Sequence, residues 1–318
     1  MEGQVRALGA SCDWSREKFT LDPEVIKFVG ATFKKMYADG LVYRGKQIIN
    51  WCAKHQTSLS DVETEFVEKS DSFYYFKYGP FTIGTTRPET KFGDKYVVMH
   101  PNDARYKEYI DGQKIALEWI NGPITATVIK DESIDREFGT GVMTITPWHD
   151  ATDFGIAERH NLDKEQIIDE RGKLLPIAGE FAGMKISEAR AKIVEKLNVK
   201  GLLIKVDEKY VHNIKVCYKC LQPIEPQVRD QWFVKMAPLA KRALEAVEAG
   251  KITFYPDNYR KIFNYWMENS LDWNISRQIV WGIPIPAYFK GAEIFVGDNP
   301  PDDCLVQDPD TFDTWFSS

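Results

Sequence analysis

The chain has 318 residues, is 43% hydrophobic and 28% charged, and carries a formal net charge of −6. That length allows two domains with real cores, and the balance is that of an ordinary soluble globular protein. No global basic field announces a nucleic acid, although a local basic groove can sit on an acidic protein.

No apolar run approaches the ~18 residues a membrane span needs, and the opening MEGQVRALGA lacks the apolar core of a signal peptide. Five cysteines, two of them in one C-x-x-C, suit a reducing compartment and a metal better than disulfides. A cytoplasmic location is the expectation.

In chain order, residues 1–21 are polar and aromatic and read as loop. Asp22-Pro23 then starts a helix, with Asp22 as N-cap and Pro23 at the first helical position. Val25, Phe28, Val29, Thr32, Phe33 and Met36 keep helical spacing, and Gly40 ends it. LVYRGKQIINWC follows as loop and strand, and no phosphate-binding glycine loop or internal repeat is visible.

At Asn50 the pattern changes. NWCAKHQTSLSD sets Cys52 and His55 in C-x-x-H spacing, and VCYKCLQPIEP sets Cys217 and Cys220 in C-x-x-C spacing. Together they would make a Cys3His set suited to tetrahedral zinc with no open position. The alternative is a surface His55 and a buried Cys52 thiol. Residues 63–210 leave one knuckle and return to the other, so they read as an insertion. Its short strand-like runs are FYYFKY, KYVVMH, KIALEW, ITATVI and GVMTIT. Its helices span about Asp153–His160 and Ser187–Leu197, the latter with Ile193, Val194 and Leu197 as its apolar side. Many strands with a few helices suggest a β-barrel-like α+β domain. After Pro226 the chain turns helical and aromatic, with a helix over about Pro238–Ala249 ended by Gly250.

Two stretches carry chemistry. GTTRPET, Gly84–Thr90, puts three threonine hydroxyls and Arg87 into one turn around Pro88. Such a turn can hold a ribose and a phosphate and order a water. FGTGVMTITPWHDATDF, Phe138–Phe154, opens on a Gly-Thr-Gly turn and runs through a short strand. Alternation puts Thr144 and Thr146 on one face. The strand ends at Pro147 in a loop with His149, Asp150 and Asp153, near a helix N-terminus. Two carboxylates there suit an ammonium or hydroxyls and suit a phosphate poorly, although paired aspartates at a helix start are often only caps.

Taken together, these strings resemble the post-transfer editing domain inserted in the valyl, isoleucyl and leucyl class I aminoacyl-tRNA synthetases, with wording nearest the valyl branch. WNISRQIVWG (Trp273–Gly282) and DTWFSS (Asp313–Ser318) resemble segments of the family's catalytic nucleotide-binding domain. The resemblance runs from Trp14 to Ser318. It implies an α+β and α/β architecture: an editing domain over 63–210, a zinc-knuckle stem over 48–62 and 211–228, and parts of a Rossmann-type catalytic domain over 1–47 and 229–318. The family usually carries cysteines in both knuckles, so His55 would replace one. The signatures HIGH and KMSKS are not found, which is expected of a middle piece of a longer protein that would use ATP and magnesium.

The resemblance also implies a reaction. A hydrophobic pocket for valine cannot strongly reject an isostere that merely adds a hydroxyl, a limit these valyl enzymes themselves illustrate. Threonine mischarged on tRNA(Val) would be removed by hydrolysing its ester. By match to the motif, Asp153 would hold the α-ammonium. Arg87 and Thr90 would line the adenosine end and help place water. Thr85 and Thr86 belong to the same turn. Thr146 and Asp150 would face the side-chain hydroxyl, as would Thr144, which stands where the valyl branch usually has lysine. His149 is expected to pack or hydrogen-bond within its loop instead of acting as a base. Trp281 and Trp315 resemble tryptophans that close the valine pocket; plain core packing is the alternative. The expected partners are tRNA(Val), valine and threonine, with the protein a monomer and the zinc structural. Two other readings are a non-catalytic zinc-stapled tRNA-binding module and the isoleucyl or leucyl paralogue.

Overall fold

A computed structural model of the chain describes residues 2–301 and 305–318. Two compact units emerge: Met1–Arg44 with Gln231–Ser318, and Gly45–Asp230.

The first unit begins with α1 (Glu2–Ala7) and α2 (Pro23–Ala38). α2 starts at Asp22 as expected, and its carboxylate accepts from the Phe19 amide at 3.0 Å. It ends where Gly40 takes φ 71°, with the Leu41 amide donating to the Met36 carbonyl at 2.9 Å. The helix buries Val29 and Phe33 and leaves Phe28 exposed. Phe33 meets the rings of Trp232 and Phe312 edge-on, with centroids 5.1 and 5.0 Å away, which is the favoured arrangement for aromatic pairs.

β1 (Val42–Cys52) carries the chain into the second unit, followed by β2 (Thr57–Leu59). β3 (Thr64–Tyr78) and β4 (Phe81–Thr85) form a tight hairpin. β4 needs Gly84, because a Cβ there would lie 2.3 Å from the ring of Phe73. Then come β5 (Tyr96–Met99), β6 (Lys114–Trp119), β7 (Gly122–Lys130), β8 (Val142–Thr144), α3 (Ala151–Arg159) and α4 (Ile186–Val199). β9 (Leu203–Cys217) runs back along β3 from Phe76↔Leu203 to Thr64↔Cys217, with register shifts between Asp71 and Phe73 and between Tyr75 and Phe76.

The strands make two open sheets, β4-β3-β9 and β6-β7-β5-β8. In the second, β5 and β7 are parallel while β6–β7 and β5–β8 are antiparallel. Both sheets contribute to one core around Phe76, Ile83, Val97, Trp119 and Val128, joined by Ala189, Ile193 and Leu197 of α4. The barrel-like expectation is corrected here: no closed barrel forms among the described residues. β4 and β8 come close without a ladder. The Thr140 hydroxyl donates to the Thr82 carbonyl at 2.6 Å, where a strand pairing would otherwise continue.

β10 (Gln227–Val234) leads back to the first unit. α5 (Met236–Glu248) and α6 (Asn258–Glu268) follow, then β11 (Trp273–Asn274), β12 (Ser276–Arg277), β13 (Ala287–Lys290), β14 (Glu293–Val296), β15 (Val306–Gln307), β16 (Thr311–Phe312) and α7 (Thr314–Ser317). The pairings β10–β11, β12–β16, β13–β14 and β13–β15 are all antiparallel. The core of this unit gathers Phe33, Trp232, Ile275, Ile285 and Phe312. No helix among the described residues is long and apolar enough to cross a membrane.

Candidate active site and metal centre

The two chemistry-bearing strings meet inside the second unit. After β4, the Arg87 amide donates to the Thr85 hydroxyl at 2.9 Å, turning the chain into a short 3-10 helix over Pro88–Gly93. Thr90 lies on its inner side and donates to the Arg87 carbonyl at 3.1 Å. Across from it, the Thr146 hydroxyl donates to the Thr90 hydroxyl at 3.3 Å, and the Thr146 amide donates to Asp153 Oδ2 at 2.7 Å. Thr90, Thr146 and Asp153 are all buried.

Asp150 is the exposed N-cap of α3, its Oδ1 accepting from the Thr152 and Asp153 amides at 2.8 and 3.1 Å. Asp153 Oδ1 is buried and has no hydrogen-bond partner. Burial pushes the Asp153 carboxyl up to about 7, helped by the neighbouring Asp150 and opposed by the Thr146 amide and Lys91.

Beside this carboxylate sits a group the sequence did not single out. Lys91, 5% exposed, donates from Nζ to the Thr144 hydroxyl at 3.0 Å and lies 3.5 Å from Asp94 Oδ1. Burial pushes Asp94 up to about 6, with Lys91 pulling the other way. Neither Asp94 oxygen has a hydrogen bond of ordinary geometry, although Lys91 and the Thr144 hydroxyl are close enough to favour its ionised form. Nothing in the wording of PETKFGD sets the lysine and aspartate apart. Only the 3-10 turn, which rolls Lys91 inward and lets the Trp119 indole donate to its carbonyl at 2.8 Å, makes them part of the site.

Arg87 is held from three sides. Its Nη2 donates to both oxygens of Glu225 at 2.6 Å, its Nε to Glu89 at 3.2 Å and its Nη1 to the His149 carbonyl at 3.2 Å. Burial alone would lower its proton affinity; Glu225 and Glu89 overcome this and raise it. The guanidinium thus ties the threonine turn to the loop after Pro147, and its nitrogens already serve protein acceptors. Glu89, fully buried, is shared with Arg190 of α4 at 2.8 Å. His149 accepts at Nε2 from the Ile167 and Ile168 amides, at 2.9 and 3.1 Å. That requires its proton on Nδ1, which lies 3.2 Å from Glu225 Oε1. The ring is a loop fastener, as the sequence suggested.

Thr85 is buried and Thr86 half-buried in the same turn. In the first unit, Trp281 and Trp315 are 74% and 68% exposed, so neither is a core residue of that unit. Ser276 there accepts from the Trp232 amide at 2.9 Å, and Arg277 pairs with Asp313.

The four proposed metal ligands converge at the other end of the β3–β9 ribbon. Cys52 Sγ lies 3.5 Å from His55 Nδ1 and 3.7 Å from Cys220 Sγ, and Cys217 Sγ lies 3.7 Å from His55 Nδ1. All four ligand atoms fall within 4.8 Å of one another. A tetrahedral zinc with bonds of ~2.3 Å to sulfur requires ligand atoms ~3.8 Å apart, so the donor set fits that ion. The knuckles are built alike. Gln56 follows His55 at φ 53° and Leu221 follows Cys220 at φ 56°. Their amides donate to the carbonyls of Cys52 and Cys217 at 2.7 and 2.8 Å. The His55 amide also points at Cys52 Sγ, 3.4 Å away.

Residues 1–299 match the family model of class I tRNA synthetases (I, L, M and V). The chain belongs to the class I tRNA synthetases. Among class I synthetases it is 44% identical to the valine–tRNA ligase of Carboxydothermus hydrogenoformans, over 99% of this chain and 37% of that protein. It is 42% identical to that of Thermotoga maritima, over 99% of this chain and 38% of that protein. The valine–tRNA ligase of Clostridium tetani is 43% identical over 99% of this chain and 37% of that protein. The synthetase chain therefore spans between a third and two fifths of the length of these relatives.

Proposed function

We propose that the second unit hydrolyses the ester of threonine mischarged on tRNA(Val), within a protein that as a whole attaches valine to tRNA(Val) with ATP and magnesium. The observation that carries this reading is the unpartnered Asp153 Oδ1, buried beside the Thr90–Thr146 hydroxyl pair. A carboxylate left without a donor in a dry site is costly unless a ligand supplies one. The α-ammonium of an aminoacyl ester is such a donor, and its charge would draw Asp153 into the ionised form. A purely binding, non-catalytic module leaves that carboxylate unexplained.

In this mechanism Asp153 fixes the ammonium, and with it the ester carbonyl, against the threonine turn. Thr90 and Thr146 present hydroxyl oxygens that hold a water. The water adds to the carbonyl carbon, and the ester C–O bond breaks. The terminal ribose takes the proton on its freed hydroxyl, and threonine leaves. Positioning and hydrogen bonds to the developing oxyanion supply the rate, with no protein nucleophile. Arg87 acts as the brace that keeps turn and loop in register. Thr85 and Thr86 shape the turn, and Asp150 sets the helix that presents Asp153.

Cys52, His55, Cys217 and Cys220 would hold a structural zinc whose chemistry is to tie two chain crossings together. We assign 63–210 to editing, 48–62 with 211–228 to the metal stem, and 1–47 with 229–318 to parts of the Rossmann-type catalytic domain. Trp281 and Trp315 are assigned to the valine pocket. The test is deacylation by the purified chain. Threonyl-tRNA(Val) should be hydrolysed and valyl-tRNA(Val) spared. No turnover above buffer by a folded sample overturns the reading.

A further inference from the structure

We propose that Lys91 is the specificity-determining residue of this site: held on the Thr144 hydroxyl, its ammonium donates to the side-chain hydroxyl of the threonyl ester. The inference rests on the hydrolytic reading above and deepens it.

A lysine is almost never this buried without full pairing. Of its three donors, one serves Thr144 at 3.0 Å. Asp94 is 3.5 Å away, beyond the ~2.7–2.9 Å of a good charge-assisted bond. The ammonium is therefore under-used, and Asp94, 2% exposed, has two oxygens without hydrogen bonds of ordinary geometry. Position supports the same conclusion. The Thr144 and Thr146 hydroxyls, two residues apart, both meet the 3-10 turn, one at Lys91 and the other at Thr90. The Thr146 backbone amide holds Asp153, the ammonium anchor, while the Thr144 hydroxyl holds Lys91. A ligand anchored at Asp153 would bring its short side chain toward the Thr144–Lys91 pair.

A hydroxyl there can accept from Lys91 and donate to Asp94, completing both. A methyl group in its place would leave a charged pair dry and unfinished. This is the asymmetry by which a polar site rejects an analogue lacking the hydroxyl far more strongly than an apolar site rejects one carrying it.

The test compares threonyl-tRNA(Val) with 2-aminobutyryl-tRNA(Val), the analogue that lacks the hydroxyl, using the parent chain, Lys91→Met and Lys91→Met/Thr144→Lys. The double variant supplies the ammonium from the facing side chain and keeps Asp94 paired. Lys91→Met is expected to lower kcat/KM for the threonyl ester by at least about tenfold, an effect the size of one lost polar contact. It should change the analogue by less than about threefold, and the double variant should restore the preference. Equal rates for Lys91→Met and parent on the threonyl ester overturn the inference and leave the hydrolytic reading standing. So does an equal loss on both esters without rescue. If the parent hydrolyses neither ester, the hydrolytic reading falls first and this one with it.

Discussion

The Thr146 hydroxyl lies 3.3 Å from the Thr90 hydroxyl, joining two strings 56 residues apart in the chain. Thr90 in turn donates to the Arg87 carbonyl at 3.1 Å. The donor order is therefore set: Thr146 to Thr90 to backbone. Thr146 keeps its lone pairs for whatever enters. Thr146→Val should remove the relay with little change in shape. We expect hydrolysis of the threonyl ester to fall by about 10²-fold, the loss of one well-placed polar group. Single-turnover deacylation measures it. An unchanged rate would exclude Thr146 from the chemistry.

Asp153 opposes stability at neutral pH. Its folded-state pKa, about 7, lies above the ordinary value of 3.8. A group raised in this way contributes stability that is present below about pH 4 and lost as pH rises through 7. Asp153→Asn keeps an oxygen for the Thr146 amide and removes the penalty. It should therefore raise the melting temperature at pH 8 and have little effect at pH 4. The ceiling on the gain at pH 8 is about 4 kcal/mol. The same variant should lose deacylation. Paired melting curves at the two pH values check the sign.

The pH dependence of hydrolysis should follow the same carboxylate. An ammonium is held by the ionised form, so kcat/KM for the threonyl ester should rise with pH up to about 7. Asp94, at about 6 and electrostatically linked to Asp153, would broaden the rise into two steps belonging to the pair. A rate flat from pH 5 to 8 would count against Asp153 as the anchor.

Half-buried Arg87 and buried Glu225 form an ion pair in which one guanidinium nitrogen meets both carboxylate oxygens at 2.6 Å. Glu225→Ala takes away the two shortest contacts of the guanidinium and leaves it on Glu89 and the His149 carbonyl, so the cost should fall below the ~3–5 kcal/mol of a fully buried pair that loses its only partner. We expect a drop in urea midpoint together with loss of hydrolysis. That separates the brace from Asp153, whose removal should cost activity alone.

Zinc content provides the remaining check. Purified chain should hold about one zinc, and Cys217→Ser should lose it and lower the melting temperature. His55→Cys should keep the metal, because a thiolate satisfies the same tetrahedral corner. Elemental analysis of both variants decides it.

Local rules made much of the architecture legible. The α2 boundaries followed from Asp22, Pro23 and Gly40, and the C-x-x-H and C-x-x-C spacings led to four ligand atoms that do converge. The threonine turn and acidic loop announced themselves by residue type. Three things were not legible, for one reason: each depends on contacts made far along the chain. Glu225, 138 residues from Arg87, sits in a stretch that reads as the tail of a metal knuckle. Lys91 takes its place in the site through Thr144, 53 residues further on, which nothing in PETKFGD announces. Closure of the sheets into a barrel was expected from strand count, but β4 and β8 do not pair, and Thr140 bonds the Thr82 carbonyl through its side chain.

The second unit is one unbroken stretch, Gly45–Asp230, and the chain enters it on β1 and leaves on β10, which are neighbours in one sheet. Its two ends therefore lie on neighbouring strands, so taking the segment out would leave a gap between adjacent strand ends for a short connection to span.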